Sequence, residues 1–251
     1  MNSLVVYPDE GWQSGRITLV GSRAREVSAA GSYQVGDTLR IALFGGDKGG
    51  GKIRAFSSEK IVIDLTWIDP SLDLRPIDLI VGLSRPQTTK KVIQAAVMSG
   101  IRSLHFVHLE SGEKSYLDSH LFREDDLRYE TAKALEQIWE GRYPDIRVHR
   151  DFGRFIRGNT ELLSASDSRL SLIAQPGGGV ITSEMCSAND SAVIAVGSEG
   201  GWSPRELATF NELGFVPVGL GARIVRVEIA LLYLLGQTLG VGVNKPCASD
   251  F

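Results

Sequence analysis

Val193-Ile194-Ala195-Val196-Gly197-Ser198-Glu199-Gly200-Gly201-Trp202 reads as a buried strand running straight into a glycine loop. A short apolar run without polar alternation suits a parallel sheet, where both faces of a strand are covered. Ser203-Pro204-Arg205-Glu206 follows, with the spacing of a capping box and Pro at the first helical position. Ser203 is expected to accept from the amide of Glu206, and Glu206 to reach back to Ser203. The helix should run to Leu213 and stop at Gly214. A second strand, 215–220, ends in another tight loop, Gly221-Ala222-Arg223, before a further helix. Two glycine loops therefore fall at the C-terminal ends of two strands, which is where ligands bind in open α/β sheets. Glycine lets backbone amides and carbonyls approach a ligand closely, so these residue types point to a small-molecule site.

Working upstream, strands are expected at 77–83, 102–109, 145–149, 169–174 and 191–196, and helices at 88–99, 121–139 and 151–159. With the helices near 204–213 and 226–239, this alternation defines an α/β domain with a parallel sheet over residues 73–251. Residues 1–72 differ. Alternating runs at 16–20, 38–44 and 60–65, with no strong helix, suggest a small β-barrel-like domain. Pro and Asp in 69–73 mark the linker. The segment Gly46-Asp47-Lys48-Gly49-Gly50-Gly51-Lys52 starts like a phosphate-binding loop, but Ile53 stands where Ser or Thr is required. It is read as a hairpin loop whose Lys48 and Lys52 could touch a phosphate backbone. Gly177-Gly178-Gly179 after Gln175-Pro176 is read as a turn following a strand.

Composition narrows the function class. The chain has 251 residues, 43% hydrophobic and 23% charged, with a net charge of -3. Residues 1–72 carry eight basic and eight acidic side chains, so neither part is a general polyanion binder and no DNA partner is expected. Cys186 and Cys247 form neither a metal spacing nor a disulfide framework, which fits a reducing, cytoplasmic setting. His105 and His108 are three apart on a strand and face opposite ways, so no metal site is expected. The first ten residues lack a signal-peptide pattern, and the apolar stretch 227–243 is short for a membrane span.

The paired loops resemble the RsmE family, within the SPOUT superfamily of S-adenosylmethionine-dependent RNA methyltransferases. Members carry Gly-Pro-Glu-Gly-Gly-aromatic before a helix, and about twenty residues later Leu-Gly-x-Arg-Ile-Leu-Arg-x-Glu-Thr-Ala. This chain has Gly197–Trp202 as quoted, then Leu220-Gly221-Ala222-Arg223-Ile224-Val225-Arg226-Val227-Glu228-Ile229-Ala230. Gln94, Gly100-Ile101, Glu136-Gln137 with Pro144, and Val35-Gly36-Asp37 are similar to further family segments. The chain departs from the pattern at Ser32 and Glu140, where the family has Arg, at Met98 for Glu, at Ser198 for Pro and at Ile229 for Thr.

The resemblance implies a PUA-like RNA-binding β-barrel (1–72), then a SPOUT domain (73–251) whose C-terminal end threads a trefoil knot. It implies S-adenosylmethionine held by Gly197, Glu199, Gly200, Gly201, Leu220, Gly221, Ile224 and Val225. The implied reaction is methylation of N3 of a uridine in 16S rRNA of the 30S subunit, position 1498 in the usual numbering, by a homodimer. Removing the N3 proton needs a base or a group that stabilises the resulting anion. Arg223, Arg226 and Glu228 are the candidates, with a structural Arg226–Glu228 ion pair as the alternative. Two other functions stay open: a non-catalytic RNA-binding or ribosome-assembly paralogue, and a methyltransferase acting on a different RNA.

Overall fold

The computed structural model describes residues 3–31, 33–221 and 223–240. Ser32, Ala222, Cys247 and the end of the apolar stretch at 241–243 lie outside them. The chain forms two compact units, Met1–Asp73 with Arg128–Tyr143, and Leu74–Leu127 with Pro144–Phe251. The segment 128–143 thus clusters with the N-terminal residues, which no linear division of the sequence anticipates.

The first unit contains β1 (Leu4–Val6), β2 (Arg16–Val20), α1 (Gly21–Ala30), β3 (Thr38–Leu43), β4 (Lys48–Phe56) and β5 (Lys60–Asp69). They form one sheet in the order β1-β3-β4-β5-β2, with β1 parallel to β3 and the other pairs antiparallel. The alternating residues Ile17, Leu19, Leu39, Ile41, Ile53, Ile61 and Ile63 supply its core. Two expectations change here. Helix α1 occupies a stretch read as having no strong helix; it buries only Ala24 and Val27, too few to leave an apolar period. Gly49, Gly50 and Gly51 lie within β4 rather than in a hairpin loop, and the turn falls at 44–47, where Gly45 has φ +80. The tract is there for close packing. A Cβ on Gly51 would stand 2.6 Å from Ile41 Cδ1 and Ile63 Cγ2, and one on Gly50 would stand 2.5 Å from Trp67 Nε1.

The second unit alternates through β6 (Arg75–Gly82), α2 (Pro86–Met98), β7 (Ile101–Val107), α3 (Glu124–Ile138), β8 (Asp145–His149), α4 (Phe152–Gly158), α5 (Thr160–Leu163), β9 (Arg169–Gly179), α6 (Ser183–Ser187), β10 (Ser191–Val196), α7 (Pro204–Glu212), β11 (Val216–Val218) and α8 (Val227–Gly240). Six parallel strands form one sheet in the order β11-β9-β10-β6-β7-β8. The apolar runs in β6 and β10 make its centre, buried on both faces as a parallel sheet requires. Ile80, Phe155, Ile173, Val193, Phe210 and Phe215 belong to one core cluster. Strand β9 runs on to Gly179, past the expected turn. Gly178 allows this, because a Cβ there would stand 2.7 Å from the Val218 carbonyl carbon. Helix α8 packs on α2 and β10, and its Ala230, Leu231, Leu234 and Leu235 are buried. Among the described residues no helix is long and apolar enough to cross a membrane.

From Arg128 onward α3 belongs to the first unit. Ser3 donates its amide to the Glu136 carbonyl at 3.1 Å, and Trp139 Nε1 donates to the Ile41 carbonyl at 3.1 Å.

A polar row crosses β6, β7 and β8. Arg102 grips Asp78 with two bonds, at 3.0 and 2.5 Å, and Ser103 Oγ donates to Asp78 Oδ1 at 2.6 Å. His105 Nε2 lies 3.1 Å from Ser103 Oγ, and His105 Nδ1 lies 3.0 Å from His149 Nε2. Burial, aided by His149, holds His105 down at about 4, so the imidazole is neutral near neutral pH.

Candidate cofactor and substrate site

Strands β9, β10 and β11 are parallel neighbours, so their C-terminal ends share one edge. The 197–202 loop leaves β10 there. The amide of Gly201 donates to the Ser198 carbonyl at 2.9 Å, and Gly201 takes φ +71. A Cβ on Gly197 would lie 3.1 Å from the Gly201 Cα, so a side chain at 197 would make the turn give by a few tenths of an ångström. Trp202 anchors its far side, with Nε1 donating to the Ala174 carbonyl at 3.2 Å and the indole 5.0 Å from the Phe210 ring.

The expected capping box is present. The Glu206 amide donates to Ser203 Oγ at 3.2 Å, and the Ser203 amide donates to Glu206 Oε2 at 2.8 Å. Sequence reading missed a third bond: the Glu110 amide donates to Glu206 Oε1 at 2.9 Å. Glu206 is 0% exposed and so joins the α7 cap to the loop after β7. Glu199 faces the loop after β6, with the Arg85 amide 3.4 Å and the Arg85 Nε 3.6 Å from its Oε1. Gly82, at the end of β6, keeps this convergence tight: a Cβ there would stand 2.9 Å from the Gly197 carbonyl carbon and 2.6 Å from Leu109 Cδ1.

The second loop is built against the end of β9. The Gly219 amide donates to the Gly179 carbonyl at 2.8 Å, and a Cβ on Gly219 would stand 2.8 Å from the Gly178 carbonyl oxygen. The glycines at 177–179 therefore support this loop, a role that their sequence alone does not signal. Gly221 takes φ +84. At both Gly201 and Gly221 an added Cβ would meet nothing within 4 Å. Leu220 and Val225 are half-buried, while Arg223, Ile224 and Arg226 are exposed, Ile224 to 87%.

Helix α8 then begins, and the amides of Ile229 and Ala230 donate to the Arg226 carbonyl. Arg226 and Glu228 do not form the ion pair weighed from sequence. Side chains two apart at a helix start do not face each other. Glu228 pairs instead with Lys91 of α2, Nζ to Oε1 at 3.0 Å, and its Oε2 is buried with no hydrogen-bond partner among the described residues. Burial pushes the Glu228 carboxyl up, but its own backbone amide, Lys91 and Arg226 outweigh this and hold it below the usual carboxylate value. Lys91, Ile224, Val225, Arg226, Glu228 and Leu232 line one cleft of about 600 Å³; Arg223 does not line it. Lys91 lies 137 positions from its partner, and no local pattern pointed to it.

Residues 71–239 match the model of the RNA methyltransferase domain family. The chain belongs to that family. This agrees with the resemblance read from the paired glycine loops. Among RNA methyltransferase relatives, the ribosomal RNA small subunit methyltransferase E of Treponema pallidum (strain Nichols) is 27% identical over 210 residues, covering 83% of this chain and 79% of the relative. The enzyme of the same name from Synechocystis is 23% identical over 241 residues, 93% of this chain and 76% of the relative. The crystal structure of a ribosomal RNA small subunit methyltransferase E from Neisseria gonorrhoeae bound to S-adenosyl methionine superposes with a TM-score of 0.75. It is 20% identical and covers 94% of this chain and 98% of that one, a likeness of fold.

The departures from the family pattern have visible settings. Ser198 is buried in the loop turn, whereas Met98 and Ile229 are exposed. Glu140 pairs with Lys48 and accepts from the Leu72 amide at 3.0 Å, so its charge is used inside the first unit.

Proposed function

We propose that this methyltransferase moves a methyl group from S-adenosylmethionine to N3 of a uridine in 16S rRNA of the small ribosomal subunit, at the position that the resemblance names. The observation carrying this reading is the shared edge of β9, β10 and β11. There two loops present left-handed glycines beside open space. The residues fit the cofactor: Gly197, Glu199, Gly200 and Gly201 from one loop and Leu220, Gly221, Ile224 and Val225 from the other would hold it through backbone groups. When bound, S-adenosylmethionine supplies an electrophilic methyl group on its sulfonium.

The chain's own residues then have to manage the N3 proton and the charge left on the uracil. The exposed guanidinium of Arg226, on the cleft, and that of Arg223, outside it, suit stabilisation of negative charge developing on N3 and O4. Glu228, held ionised beside Lys91, suits accepting a hydrogen bond more than taking a proton outright, because a depressed carboxyl is a weak base. Orienting the uracil in line for transfer supplies the remainder.

Strand β11 lies at one edge of the sheet, yet α8, the next helix, packs on α2 and β10. That return across β9 supports a SPOUT-type trefoil knot. The curled mixed sheet of the first unit supports a PUA-like RNA-binding barrel in residues 1–72, ahead of the methyltransferase domain at 73–251. A homodimer is supported by Ile229, Leu232 and Tyr233, exposed at i, i+3 and i+4 along one face of α8. A 30S substrate places the reaction in the cytoplasm.

The test is calorimetry with S-adenosylmethionine, followed by mapping of N3-methyluridine in ribosomal RNA from a deletion strain. Binding of the cofactor and loss of the modification are expected. Binding with unchanged modification would exclude this substrate, and no binding would remove the whole reading.

A further inference from the structure

We infer that the outer face of the first unit's sheet carries a stacking site for an unpaired base of the RNA substrate, centred on Trp67. This rests on the RNA methyltransferase reading above. Strand pairing sets Arg40 opposite Gly50, and Gly50 opposite Trp67, so the three share one face. Their neighbours Ile41 and Gly51 point the other way, into the core. The Trp67 indole lies across Gly50, where a Cβ would stand 2.5 Å from Nε1 and 2.8 Å from Cε2. The glycine thus acts as a seat for the ring, and the residue remains 42% exposed.

Trp139 braces that ring. The two indoles meet edge to face, 5.6 Å between centroids at 84°. Trp139 has φ 53, a left-handed conformation that bulky residues adopt rarely. The Arg40 guanidinium sits 4.8 Å from the Trp139 ring. Beside it a cleft of about 410 Å³ opens between Tyr33, Thr38, Arg40 and Trp139.

Charge selects the ligand class. Lys48 also approaches Trp139 but is paired with Glu140. Arg40 and Lys52, which lies opposite Thr38 on the same face, are exposed and have no ion-pair partner among the described residues. Aromatic planes with two cations free of ion pairs alongside, one of them already lying over an indole, suit a nucleotide whose base is unstacked from its neighbours. The base stacks on the indole and flanking phosphates meet the cations. A paired base in a duplex offers no face to the ring. Because the unit as a whole carries no excess of positive charge, with 11 basic and 12 acidic residues, binding here should depend on stacking and not on charge alone.

The test uses the full chain, a fluorescein-labelled oligouridine and a duplex RNA of equal length, with S-adenosylmethionine affinity measured in parallel. Trp67→Ala should weaken oligouridine binding about tenfold, within the range for loss of one stacked base, while Trp67→Phe keeps most of it. Arg40→Gln should weaken it severalfold. Gly50→Ala, which displaces the indole, should mimic Trp67→Ala with no change in cofactor affinity. Oligouridine affinity unchanged in Trp67→Ala would overturn the proposal, as would an equal loss for duplex RNA, which would leave charge as the only attraction. A wild-type chain that binds neither S-adenosylmethionine nor RNA would overturn the parent reading, and the cofactor measurement tells that failure from the others.

Discussion

Gly201→Val probes the 197–202 loop with little else disturbed. The residue has φ +71, and a Cβ there meets no protein atom within 4 Å. The folded state therefore suffers backbone strain without a clash. An L-residue in the left-handed region costs about 1–2 kcal/mol, with valine near the top because it is branched at Cβ. For a unit of this size, about 2 kcal/mol lowers the melting temperature by roughly 4–8 °C. If the open space belongs to the cofactor, the two γ-methyl groups occupy it, and affinity should fall at least about 100-fold, or about 2.7 kcal/mol. Differential scanning calorimetry gives the first quantity and isothermal titration with S-adenosylmethionine the second. Gly201→Ala carries the strain without the γ-methyls and should keep measurable binding. Gly197→Val, whose Cβ would press on the Gly201 main chain at 3.1 Å, should lose both binding and more stability. A Gly201→Val protein that melts a few degrees low but binds cofactor as tightly as wild type would refute the reasoning.

The His105 imidazole is neutral when folded and titrates nearer 6.5 when unfolded, so acid favours the unfolded chain. Stability should be full above pH 6.5 and fall by up to about 3 kcal/mol towards pH 4; His105→Gln should flatten that limb in urea titrations, and an unaltered limb would sink the assignment. Lys91→Met removes the cation from a buried carboxylate. It should cost about 1–2 kcal/mol, since Lys91 is half exposed, and move the acid limb of methyl transfer to higher pH; a stationary limb means that Glu228 plays no part in the pH profile. Leu232→Asp charges the exposed face of α8 and should shift sedimentation from dimer to monomer, whereas an unchanged sedimentation coefficient would place any dimer contact elsewhere.

The sheet strands were legible where burial dictates composition. The runs at 77–83 and 191–196 are apolar because both faces of β6 and β10 are covered, and the Ser203–Glu206 cap has a fixed spacing. What escaped reading has a common physical origin. Gly49–Gly51 give no hydrophobic period, so a strand interior resembles a loop, and Gln175–Gly179 carries every local turn signal while its pairing comes from Val218. Of the candidate site, the two loops were readable because their glycines mark the backbone directly. The partners of Glu206 and Glu228 were not, since Glu110 and Lys91 are brought in by sheet and helix packing from far along the chain.

Helix α3 changes allegiance in mid-course, at Leu127 and Arg128, and the chain crosses between the two units three times. The first unit is therefore not a detachable cassette. A fragment cut after Asp73 would lose the Glu136 carbonyl that receives Ser3, the Trp139 indole bonded to Ile41 and the carboxylate paired with Lys48. Exchange of the first 73 residues between relatives by a single crossover would leave two mismatched halves. A viable graft must carry the tail of α3 with it, so the two units of this architecture are inherited together.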